Sequence, residues 1–165
     1  MLNMLRRGFT GLFAAAVAVV SSQPVGAANM EDKPRLVGTW KMVDAISRDA
    51  QGKKLAKPFG LKGMGIVTLN ADGRMMAVLC DGRAHLPDET KREYASYCGN
   101  YTFDGTTLIT KVDASASARI AIGSDQVRKV RFEGKRMVLT PPPTELNGVM
   151  QYRDIFWERI STESA

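Results

Sequence analysis

The chain has 165 residues, 44% of them hydrophobic, with 23 Lys and Arg against 17 Asp and Glu, a formal net charge of +6. That is one domain, and the cations are scattered: apart from Arg128-Lys129-Arg131 and Lys135-Arg136 they form no cluster, and no aromatics interleave them to stack on bases, which argues against nucleic-acid binding. A single histidine, His85, cannot build a three-histidine zinc site, and there is no phosphate loop, hydrolase elbow or spaced metal-ligand set, so no metal or cofactor is implied.

The first element is an export signal over residues 1–27. Arg6 and Arg7 form its charged start, Gly11 to Val20 its apolar stretch, and Val25-Gly26-Ala27 supplies small residues for cleavage. The apolar run is far short of the ~20 residues a membrane span needs. Arg6-Arg7-Gly8-Phe9 partly resembles the twin-arginine export pattern, with Leu5 where Ser or Thr is usual. Residues 28–165 then form the mature domain, in the periplasm or outside the cell. Removing the leader takes two arginines and no acid, lowering the net charge from +6 to +4. That charge leaves room for only weak attraction to anionic lipid surfaces.

Alternation of side chains predicts eight strands. The first runs from Val37 to Ser47, with Gly38, Trp40, Met42, Asp44 and Ile46 on the heavier, inward-facing parity. An irregular stretch, Lys53 to Gly63, leads to the second strand, Met64 to Asn70. Asn70-Ala71-Asp72-Gly73 turns into the third, Arg74 to Cys80, because glycine supplies the positive φ such hairpins need. The longest connection, Asp81 to Ala95, opens with Pro87-Asp88-Glu89, which suits a short polar helix. Strands four (Ser96 to Phe103) and five (Thr107 to Asp113) flank the turn at Asp104-Gly105. After a small-residue loop come strand six (Gln126 to Phe132), seven (Arg136 to Thr140, ended by three prolines) and eight (Val149 to Ile160).

Eight short strands joined by tight turns, with one short helix, predict an all-β, up-and-down antiparallel barrel closed on itself, of a size that just holds one small ligand. Closure joins the first strand to the last. Gly38 permits close backbone approach there, and Arg159 is placed to lie on the Trp40 indole. The two cysteines of an exported chain invite pairing. Cys80 ends one strand and Cys98 lies near the start of the next, so a disulfide is expected, with two buried thiols as the alternative.

The ordered set Leu36-Val37-Gly38-Thr39-Trp40, Asn70-Ala71-Asp72-Gly73-Arg74-Met75, Tyr97-Cys98-Gly99-Asn100-Tyr101, Gln126-Val127-Arg128 and Trp157-Glu158-Arg159 resembles the bacterial and fungal lipocalin-like domain family. The resemblance spans nearly all of the mature chain and implies a calycin-type barrel. Related proteins in biosynthetic pathways are thought to be isomerases or hydratases acting on apolar substrates. The family often carries paired histidines on strand five and an aromatic in the loop after it. Here strand five reads Ile109-Thr110-Lys111-Val112 and that loop has no Trp, which lowers the case for catalysis.

The expected function is therefore binding of a small apolar or amphiphilic molecule in the barrel, by a monomer or homodimer. Candidate ligand-binding residues are Trp40, Met42, Asp44, Met76, Tyr97, Tyr101 and Arg128, with Asp44 and Arg128 at the ligand's polar end and Arg128 gripping an oxyanion. Two other functions compete. One is an isomerase, cyclase or hydratase using Asp44, Arg128 or Tyr101. The other is a filled barrel acting as an envelope interaction module.

Overall fold

The computed structural model describes residues 35–161. The expected leader, residues 1–27, lies outside the described residues, as do 28–34 and 162–165. Nine strands follow in order: β1 (Gly38–Arg48), β2 (Gly63–Leu69), β3 (Arg74–Asp81), β4 (Tyr94–Phe103), β5 (Thr107–Ser115), β6 (Asp125–Glu133), β7 (Arg136–Thr140), β8 (Thr144–Leu146) and β9 (Val149–Ser161). Neighbours pair antiparallel from β1 through β7, β7 pairs with β9, and β9 returns to β1. Eight strands thus close the barrel, while β8 is a short flap on the start of β9. The predicted strands differ from these by a residue or two at their ends.

Closure depends on the first and last strands. Trp40 stands opposite Arg159, and Met42 opposite Trp157. The Arg159 guanidinium lies 4.3 Å from the centre of the Trp40 ring and donates to the carbonyls of Val37 and Arg35. The indole N–H of Trp40 donates to Leu36 O at 2.9 Å. Gly38 has φ +135°, and a Cβ there would lie 2.8 Å from Ser161 O, so this corner of the seam requires glycine. Around it Leu36, Trp40, Leu69, Leu108, Met137 and Trp157 are fully buried, and they form the barrel floor.

Three sequence expectations are corrected. The connection after β3 forms turns, with no helix among the described residues 82–93; Glu89 at φ 63° leaves the helical region, and Thr90 N–H closes only one turn on Pro87 O at 3.1 Å. Cys80 and Cys98 are free thiols. In the β3–β4 ladder Cys80 faces Tyr94 and Cys98 faces Met76, so the two stand four positions apart. At strand rise that is roughly 13 Å, well beyond the reach of a disulfide.

The third correction is Asp44. The β1–β9 register shifts between Met42 and Asp44, a bulge that inserts Val43. Beyond it the inward set becomes Ala45 and Ser47, and Asp44 turns outward to a 2.7 Å ion pair with Lys57. The hydrogen bond from Lys57 holds this carboxyl below its usual pKa, against the raising effect of burial.

Candidate binding site at the open end of the barrel

The floor lies at the start of β1 and the end of β9; the opposite end is ringed by the end of β1, the start of β2, the ends of β3, β5 and β7, and the starts of β4, β6 and β9. The segment 55–62 covers the β1–β3 side of that open end. Pro58 and Phe59 are buried there, and Phe59 N–H donates to Glu93 Oε2 at 3.1 Å. Beneath it, buried Asp81 accepts from Arg83 at 2.5 Å, and Arg92 donates to the Asp81 carbonyl. Gly60 rests on Asp81 so closely that a Cβ would lie 2.2 Å from Oδ2. The Arg83 hydrogen bond holds the Asp81 carboxyl below its usual pKa. The sequence presents this stretch only as an irregular approach to β2.

The residues expected to line the cavity separate into three groups. Trp40, Met42 and Tyr101 belong to the packed interior, and the Tyr101 hydroxyl donates to Asn70 O at 2.7 Å. Asp44 and Met76 face outward: Met76 is 58% exposed, while Met75, Ala77 and Leu79 fill the inside of β3. Both faces of β3 are apolar, so alternation alone does not tell which is inside. Tyr97 and Arg128 face the interior, Tyr97 in the half toward the open end and Arg128 on the open-end half of β6 but level with the start of β5. Tyr97 is buried, and Arg128 is half-buried opposite Leu108, a floor residue.

A second inward arginine, Arg153, was not among the candidates. It stands on β9 opposite Ser47, which is fully buried. Arg128 and Arg153 share a bond to a glutamine two residues back, and Arg128 Nη1 donates as well to Val127 O at 2.7 Å. Arg128 Nη2 donates to Gln126 Oε1 at 3.3 Å, and Arg153 Nη2 donates to Gln151 Oε1 at 3.0 Å. Gln151 also accepts from Ser47 Oγ at 3.2 Å. Each strand thus carries a Gln-x-Arg unit in which a neutral amide positions a guanidinium. The signal in the sequence was Gln126-Val127-Arg128 repeated as Gln151-Tyr152-Arg153.

Among the described residues neither arginine has a carboxylate within 4.0 Å. The other strand arginines are engaged. Arg48 and Arg131 pair with Asp154, Arg74 with Asp113 and Arg136 with Glu158, while Arg159 belongs to the floor. Two buried polar atoms on the inner face of β9, Arg153 Nε and Trp157 Nε1, have no hydrogen-bond partner. An unpaired inward guanidinium and an unpaired indole N–H are costly unless an acceptor meets them.

A recess of about 790 Å³ lies under the floor, beside Trp40, Phe132 and Arg159. Its arginines are engaged, Arg136 with Glu158 at 2.8 Å, Arg159 with carbonyls and Arg35 at 4.2 Å from the Phe132 ring centre. Its remaining cation, Lys135, is exposed in the β6–β7 turn. It is the underside of the closure. Among the described residues no cluster of three or more His, Cys, Asp or Glu could hold a metal. His85 is exposed in the 82–93 connection.

A closed antiparallel barrel of eight strands, packed at one end and polar within the other, is the construction of small-ligand carriers, which generally take hydrophobic molecules. The family model of the lipocalin-like domain matches residues 37–160, and the chain belongs to that family. A search of the curated proteins found no match.

Proposed function

We propose that this protein is an exported carrier that binds one small amphiphilic molecule through the open end of its barrel. The observation that carries this is a pair of inward arginines without a carboxylate partner, Arg128 on β6 and Arg153 on β9, the second with its Nε buried and unbonded. The 55–62 segment narrows one side of the mouth, so a ligand enters beside β6, β7 and β9. The enzyme alternative loses its proposed acid, because Asp44 lies outside in an ion pair with Lys57. It loses a free phenol as well, because the Tyr101 hydroxyl is bonded to Asn70 O.

Titration with the neutral fluorescent probe N-phenyl-1-naphthylamine tests the carrier function. A single saturable site is expected, and native mass spectrometry of protein from its own host should show a retained small molecule. If the probe finds no site and nothing is retained, the carrier function is wrong and the interaction module takes its place.

A further inference from the structure

We infer that the open end is an oxyanion clamp made by Arg128 and Arg153, and that the ligand is an amphiphile with an acidic head, a carboxylate or a phosphate. This rests on the carrier function proposed above.

The sheet register places the two arginines together. Lys129 faces Thr140, and Leu139 faces Ile155, so Arg128 and Arg153 flank position 141 on the same inner face. Two strand spacings separate them, roughly 10 Å between backbones, which two long side chains can close onto one anion. The residue between them is Pro141, which ends β7 and places no polar side chain between them.

The charges have no counterpart on the strands that carry them, and the inward acid of β3, Asp81, is paired with Arg83. The inner faces of β6, β7 and β9 carry Gln126, Val130, Phe132, Met137, Leu139, Ile155 and Trp157 beside the arginines, and no acid among them. Each guanidinium is fixed by a glutamine that accepts one hydrogen bond, that of Arg128 by Val127 O as well, and these neutral acceptors leave the positive charge in force. Most of the forked donors of both arginines remain for a ligand, and such forks match the oxygens of carboxylate and phosphate. The next row down is apolar: Val130 faces Leu139, and Leu139 faces Ile155, all at the edge of full burial. Below it Phe132 faces Met137, which faces Trp157. A row of cations above two rows of hydrocarbon and aromatic side chains fits a charged head with an apolar tail.

Calorimetric titration of the full chain with decanoate, decyl phosphate and decanol tests the clamp. An acid of the matching class should bind roughly tenfold more tightly than decanol, with a preference that weakens as salt is added. Whichever of decanoate and decyl phosphate binds more tightly identifies the head group. Arg128→Met and Arg153→Met should each abolish the preference and leave decanol binding in place. Gln151→Glu, which puts a counter-charge on Arg153 with little change of shape, should do the same, and it keeps the test open if an arginine variant fails to fold. Equal binding of acids and alcohol, unchanged in all three variants, overturns the clamp and leaves the carrier function standing. Failure of all three ligands and of the neutral probe removes the carrier function itself.

Discussion

Arg159 and Arg153 stand on the same inner face of β9, one at each end of the barrel, and their surroundings differ in almost every respect. Arg159 lies on the Trp40 ring and donates to two backbone carbonyls; burial, with Arg35 nearby, lowers its affinity for its proton but leaves it charged. Arg153 has one neutral glutamine and an Nε with nothing to bind. The two floor tryptophans differ from each other as well. Trp40 Nε1 reaches Leu36 O, whereas Trp157 Nε1, equally buried, reaches nothing. Where a fold needs only to hold together, its polar groups find partners within the chain. Among the described residues three buried side-chain atoms lack a partner, Asn70 Oδ1 and Trp157 Nε1 toward the floor and Arg153 Nε toward the mouth. The contrast between the ends therefore rests on the arginines, where Arg153 has a charge and an N–H that an outside acceptor would meet.

The sharpest test of that contrast compares substitutions at the two ends. Trp40→Ala should cost about 3–5 kcal/mol, because it empties the floor and removes the platform beneath Arg159. Arg153→Met should change stability by about 0.5 kcal/mol at most, or raise it, since it removes an uncompensated buried charge. Urea unfolding of the ligand-free protein measures both. If Arg153→Met destabilises as much as Trp40→Ala, the mouth is structural and the contrast collapses.

The closure was legible in the sequence because it rests on rare residues at fixed places: Gly38 and Trp40 on one strand, Arg159 on the other. The hairpins were legible because Asn70 to Gly73 allows little else; Gly73 N–H returns to Asn70 O at 3.1 Å. The facing of side chains was harder. A one-residue bulge at Val43 leaves no mark in the sequence yet sends Asp44 from the inside to the outside. On β3 both faces are apolar, so alternation does not reveal that Met75 faces inward and Met76 outward. Arg153 was legible and was missed: counting back by twos from Trp157 puts it on the inner face, beside a second Gln-x-Arg.

On the outer side of the mouth, the residue after Arg153 shows what pairing does. Asp154 faces outward and ties three strands, accepting from Arg131 at 3.1 Å and from Thr140 Oγ1 at 2.5 Å, with Arg48 at 3.9 Å. Burial raises its pKa, but Arg131 and Thr140 more than offset this, and the carboxyl is held below its usual range. A depressed pKa means that the stabilisation is present above the unfolded value of about 3.9 and is lost as pH falls through the folded value. Thermal midpoints from pH 7 to pH 3 should therefore fall less steeply for Asp154→Asn than for the parent. The variant should be the weaker of the two at pH 7, and the curves should converge in acid. Parallel curves would mean that the outer wall draws no stability from this carboxylate.

The smallest expected effect concerns the cysteines of β3 and β4, the strands on the far side of the barrel from the arginines. Cys98 Sγ has a long contact of 3.6 Å with Asp113, and Cys80 stands four ladder positions away. A bridge between them would stabilise the fold by about 3 kcal/mol in chain-entropy terms, enough to move the thermal midpoint by roughly ten degrees or more. With free thiols, a reductant should leave the midpoint unmoved, and thiol titration of the unfolded chain should find both groups reactive. A large downward shift on reduction would mean that β3 and β4 pair in a different register. That would change which residues of β4, Tyr97 among them, face the interior opposite the arginines.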